Sequence, residues 1–128
     1  MHKKQLFLVE DDPAIVDIYQ TVLAHGGYGI EVLALGQDVL KKMESIVAGE
    51  TPAPDLVLLD LTLPDMNGTE VLAAIKKNPK TKDILVFILT NQQESEMPVI
   101  AGVKPDKFII KANITPSELL EVIKKELK

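Results

Sequence analysis

The chain has 128 residues, 46% hydrophobic and 26% charged, which is enough apolar material for one packed core and excludes a disordered chain. It has no cysteine, which excludes disulfides and thiol chemistry and fits a reducing compartment. Its formal net charge is −5 and its cationic residues are all lysines, so it is not expected to bind nucleic acid directly.

A first strand is expected over Gln5 to Glu10. The apolar run there, behind Met1-His2-Lys3-Lys4, is too short for a signal peptide or a membrane span, so the protein is read as cytoplasmic with no membrane partner. Asp12-Pro13 is a helix start, with Asp as N-cap and Pro at the first position. Ile15, Ile18, Tyr19, Val22 and Leu23 then recur at helical spacing, and Gly26-Gly27 stops the helix. Tyr28 to Leu33 is expected as a second strand. A second helix begins near Gly36, with Val39, Leu40, Met43, Ile46 and Val47 as its core stripe. Thr51-Pro52-Ala53-Pro54 is a loop.

The run Leu56 to Leu59 has no polar alternation, as suits a strand buried on both faces of a parallel sheet. It ends at Asp60. The chain then turns through Pro64, Asp65, Asn67 and Gly68. A third helix starts at Asn67-Gly68, points Val71, Leu72 and Ile75 inward, and stops at Asn78-Pro79. Ile84 to Leu89 is a fourth strand, ending at Thr90. Gln92 to Ala101 is expected as a short or broken helix, because Pro98 inside it removes a hydrogen bond. Lys107 to Ile110 is a fifth strand, ending at Lys111. Thr115-Pro116-Ser117-Glu118 is a capping box opening a last helix, with Leu119, Leu120, Ile123 and Leu127 on its buried side. Five alternations of strand and helix predict an α/β fold: a doubly wound, five-stranded parallel sheet with helices on both faces. No linker or repeat divides residues 1–128, which read as one domain.

In open parallel sheets, ligands bind at the carboxyl ends of the strands. The residues there are Glu10 and Asp11, Asp60, Thr90 and Lys111. Carboxylates packed this closely raise each other's pKa unless a cation neutralises them, and hard oxygen donors of this kind suit Mg2+ or Ca2+. A carboxylate that can attack, a hydroxyl and an ammonium complete a set suited to phosphoryl transfer. Taken singly, Asp12 is an N-cap, Asp65 a turn residue, and Thr90 and Lys111 ordinary strand-end residues. Their joint occurrence, in order, favours a site.

Taken together, Leu8-Val9-Glu10-Asp11-Asp12-Pro13, Asp60 through Pro64 to Gly68, Leu89-Thr90, Phe108 and Lys111 resemble the receiver domain of two-component response regulators, a flavodoxin-like fold. The resemblance covers the chain end to end. It implies that Asp60 accepts a phosphoryl group from the phosphohistidine of a histidine kinase or phosphotransfer protein. It implies Mg2+ held by Asp11 and Asp60, by Glu10 through water and by the carbonyl of Thr62. It further implies that Thr90 swings to the phosphoryl group, that Phe108 moves with it, and that a downstream protein target reads the change. The sequence departs from the family pattern in three places. Ala112 stands where the family has proline, with a loop to Thr115 about one residue longer. Asn91 stands where it prefers a small residue, which is expected to narrow access to Asp60. Pro98 shortens the helix after Thr90. With Ala112 in place of proline, a trans Lys111–Ala112 bond is expected, since cis would cost roughly 3–4 kcal/mol.

Two other readings compete. A receiver-shaped binding module could signal without phosphate, but it would have little reason to keep buried like charges. A haloacid-dehalogenase-like phosphohydrolase needs a second Asp two residues after the nucleophile, and Thr62 occupies that position.

Overall fold

In a computed structural model that describes residues 3–97, 100 and 102–128, one sheet of five parallel strands runs through the molecule. Its elements follow in chain order as β1 (Gln5–Val9), α1 (Pro13–His25), β2 (Gly29–Leu33), α2 (Gly36–Val47), β3 (Leu56–Leu59), α3 (Gly68–Lys77), β4 (Leu85–Thr90), β5 (Lys107–Ile110) and α4 (Pro116–Glu126). The spatial order is β2-β1-β3-β4-β5, the doubly wound arrangement expected from the alternation.

Alternate residues of each strand feed two separate cores, which is why the strands read as unbroken apolar runs. Phe7, Val9, Val57, Leu59, Val86 and Ile88 pack with Val39 and Met43 of α2 and Val71, Leu72 and Ile75 of α3. Leu6, Leu8, Leu56, Leu58, Phe87 and Leu89 pack on the other face with Tyr19 and Leu23 of α1 and Leu119 and Ile123 of α4. Each fully buried aliphatic side chain contributes about 1.5–3 kcal/mol by burial alone.

Three helix starts follow the sequence signals. The Ala14 N–H donates to Asp12 Oδ1 at 3.0 Å, with Pro13 opening α1. Asn67 and Glu70 form a reciprocal capping box on α3, and Thr115 and Glu118 form another on α4.

The segment after Thr90 corrects the expected fifth alternation. The described residues contain four α-helices, and the helical structure they show between β4 and β5 is a 3-10 turn, Glu94–Glu96, followed by an isolated antiparallel bridge between Ile100 and Val103. Met97 is extended (φ −73°, ψ 127°), the backbone that the residue before a proline is forced to take. Pro98, which motivated the expectation of a broken helix, lies outside the described residues. Glu94, Met97, Ile100, Val103 and Phe108 line an open hollow of about 680 Å³ beside this turn.

Candidate functional site

The strand register brings the chemistry together. Val9 pairs with Leu59, and Thr90 with Ile110, so the residues that follow leave the sheet at one edge. The ladder runs one step further under the carboxylates: Asp60 N–H donates to the Val9 carbonyl at 3.2 Å and Glu10 N–H to the Leu33 carbonyl at 3.1 Å. Backbone hydrogen bonding therefore fixes the origin of both side chains.

Glu10 and Asp60 are buried, at 4% and 7% exposure, and share one cation. Lys111 Nζ donates to Glu10 Oε2 at 2.5 Å and to Asp60 Oδ2 at 2.9 Å. The other oxygens are also engaged. Thr62 N–H donates to Asp60 Oδ1 at 3.1 Å, and Asp12 N–H to Glu10 Oε1 at 3.2 Å. One ammonium between two carboxylates leaves a formal charge of minus one in a half-dry site. Burial holds the Glu10 carboxyl above the usual carboxylate range, and the charge of Asp60 adds to this. The hydrogen bonds from Lys111 and the Asp12 N–H oppose it without prevailing. Burial also works against the charged form of Lys111, but its hydrogen bonds and charge interactions with Glu10 and Asp60 together outweigh it and raise its pKa. Lys111 is therefore a fixed cation at neutral pH.

Of the remaining expected residues, only Thr62 bonds to this trio, through its main-chain N–H. Asp11 is exposed, and among the described residues no three His, Cys, Asp or Glu side chains converge as a ready metal cage. Thr90 is 1% exposed at the end of β4, where its Oγ1 accepts a long 3.4 Å contact from the Gln92 N–H. Thr62 is exposed, and its Oγ1 accepts from Gln92 Nε2 at 2.7 Å. Phe108 is half-buried against the core on the α2–α3 face. The Lys111–Ala112 bond is trans, as expected from the sequence, and the chain continues into a 3-10 turn, Lys111–Asn113. Asn91, expected to narrow access to Asp60, accepts from the Ala112 N–H through its Oδ1 at 3.0 Å.

The sequence reading missed two residues. Gln92 links the loops after β3 and β4 through Thr62, and nothing in the local sequence marks it. Asp65 is more than a turn residue: its Oδ1 and Oδ2 accept from the N–H groups of Gly36 and Gln37, each at 2.9 Å. It caps α2 from across the site edge. A signal did exist, since the residue at the N-cap of α2 is Leu35, which offers no side-chain acceptor. The Gln37 N–H first, with the Gly36 N–H, holds the Asp65 carboxyl below its ordinary pKa. A depressed carboxylate stabilises the fold above its unfolded pKa of about 3.9 and loses that contribution as pH falls through the folded value. Asp65→Ala is therefore expected to melt lower than the parent at pH 7, with the gap closing below about pH 3.9. Thermal melts of both proteins across pH 2–7 check this, and a gap that persists in acid would contradict it.

The geometry agrees with what comparison with known proteins finds. Residues 6–124 match the family model described as the response regulator receiver domain. The chain is 42% identical over 103 residues to response regulator Rcp1 of Synechocystis, spanning 77% of this chain and 69% of that protein. The crystal structure of the phosphorylated cyanobacterial phytochrome response regulator RcpA superposes with a TM-score of 0.80 at 29% identity, covering 98% of this chain and 91% of that one. The Mn2+-bound form of response regulator Rcp1 superposes with a TM-score of 0.76 at 31% identity, covering 95% and 90%. The sheet order, the acidic strand ends and the lysine that joins them thus have one common explanation: this chain belongs to the family of response regulator receiver domains.

Proposed function

We propose that residues 1–128 act as one phosphorylatable switch. Asp60 takes a phosphoryl group from the phosphohistidine of a histidine kinase or phosphotransfer protein, and the modified domain offers a changed face to a downstream protein. The observation that carries this reading is the buried trio of Asp60, Glu10 and Lys111, whose charges do not cancel. The relatives RcpA and Rcp1, crystallised as phosphorylated and Mn2+-bound forms, support it.

The donor set fits Mg2+ in kind and in charge: buried carboxylate oxygens carrying uncompensated negative charge, with exposed Asp11 next in the chain. Glu10, Asp11, Asp60 and the carbonyl of Thr62 would hold the ion, Glu10 through water. Bound there, it supplies charge neutralisation for the carboxylates and the incoming phosphoryl oxygens.

The residues of the chain divide the remaining work. Asp60 attacks phosphorus with one carboxylate oxygen. The P–N bond breaks, and its electron pair stays on the histidine nitrogen. Each Asp60 oxygen accepts one hydrogen bond at rest and keeps a second lone pair with which to attack. Lys111 can follow the charge on its flexible stem and pair with a phosphoryl oxygen. Thr90, held only by a long contact, re-aims its hydroxyl to donate to another phosphoryl oxygen, and Phe108 follows it. Attack of water on phosphorus later returns the carboxylate and releases inorganic phosphate.

Incubation with acetyl phosphate and Mg2+ is expected to add one phosphoryl group to the intact mass, removable by base or hydroxylamine as an acyl phosphate should be. Mg2+ alone is expected to raise the melting temperature, by the equivalent of about 2.7 kcal/mol at a hundredfold excess over Kd. A chain that takes up no phosphate and melts independently of Mg2+ would be a binding module instead.

A further inference from the structure

We infer that Asn91 is a positioning residue for Lys111, acting through the main-chain N–H of Ala112. The positioning role stands on hydrogen-bond geometry, and only its kinetic consequence rests on the phosphorylation reading above.

β4 and β5 pair for the last time at Thr90 and Ile110. Beyond that rung the strands part, and Lys111 opens a 3-10 turn. A lysine there hangs from an unpaired stretch of chain on a stem with four rotatable carbons, yet its ammonium must meet carboxylates on two other strands. The peptide unit that follows it is pinned at both ends. The Ala112 N–H donates to Asn91 Oδ1 at 3.0 Å, and the Lys111 carbonyl accepts from the Ile114 N–H at 3.4 Å. Fixing that plane fixes ψ of Lys111, and with it the direction in which Cα–Cβ leaves the chain.

Asn91 supplies the acceptor that a longer β4 would have offered as its next rung. It is exposed, so it contributes direction and not core packing. Its partner must carry an N–H, which alanine has at position 112 and proline would lack. The next residue turns the other way, Gln92 bonding to Thr62, so the two side chains after Thr90 tie down the loops on either side of it.

The test uses the full chain without Mg2+ and reads the acylation rate of each lysine amine by peptide mass spectrometry. Asn91→Ala is expected to raise Lys111 labelling roughly three- to tenfold, the value of one hydrogen bond, with the other lysines unchanged. Asn91→Asp keeps the acceptor and should hold labelling at the parent level or below. In an Ala112→Pro background the donor is gone, so adding Asn91→Ala should change nothing further. Phosphoryl uptake from acetyl phosphate should slow in Asn91→Ala by a similar factor. Unchanged Lys111 labelling in Asn91→Ala, or full additivity with Ala112→Pro, would overturn the inference. If labelling responds as stated while even the parent takes up no phosphate, the positioning role stands and the phosphorylation reading falls.

Discussion

Asp60→Asn is expected to fold within about 1 kcal/mol of the parent and to take up phosphate on the order of a thousandfold more slowly, or not at all. The two halves of this expectation have separate causes. A carboxamide oxygen is no nucleophile at phosphorus, so the chemical step is lost outright. The fold is kept because the amide retains the shape and can still accept from the Thr62 N–H. Lys111 loses one acceptor but keeps Glu10, and the two then form a neutral buried pair. The lost hydrogen bond and the relieved repulsion act in opposite directions and are similar in size. Intact-mass kinetics beside a thermal melt read both halves. Labelling as fast as the parent's would move the acceptor to another side chain.

Gly68→Ala is expected to be the most damaging single methyl at the site, costing about 3 kcal/mol or more, the upper end for overpacking. A Cβ at Gly68 would lie 2.3 Å from the main-chain oxygen of Asp60 and 2.8 Å from Cα of Leu61. Those are backbone atoms and have no rotamer to yield. The contact is this close because the Gly68 N–H donates to the Leu61 carbonyl at 2.7 Å, seating the first turn of α3 directly on the strand end. Gly49 is the control. Its φ of +78° strains any side chain, but nothing lies within 4 Å of an added Cβ. Gly49→Ala should therefore cost only about 1 kcal/mol. Denaturant melts of the two variants rank them, and equal costs would mean that α3 yields without strain.

Much of this was legible in the residues. The apolar runs through Leu8, Leu58 and Ile88 admit only a sheet covered on both faces. The caps at Asp12, Asn67 and Thr115 fall where the chain places them, because capping is a local transaction between neighbours. The meeting of Glu10, Asp60 and Lys111 was legible only jointly, since each alone has an ordinary explanation and the register that unites them is a property of the whole sheet. What stayed hidden are the long-range side-chain bonds. Asp65 reaches α2, Gln92 reaches Thr62 and Asn91 reaches Ala112 across loops whose separation no periodicity encodes. Residues 92–101 carried too weak a helical signal against Pro98, and among the described residues only one tight turn of it survives.

That turn has an energetic consequence. Its backbone is held by three short-range bonds: Glu96 N–H to the Gln93 carbonyl, Met97 N–H to the Glu94 carbonyl, and Gln93 N–H to Glu96 Oε1. Most of the side chains from Asn91 to Glu96 are exposed, so opening the segment forfeits almost no apolar burial. Local unfolding there costs less than opening β4, which ends at Thr90 and is buried along most of its length. A boundary between well-buried and exposed structure thus falls at the residue that, on the proposed reading, senses a phosphoryl group. On the proposed reading, a small change in the aim of the Thr90 hydroxyl would be passed to this turn while the sheet stays intact.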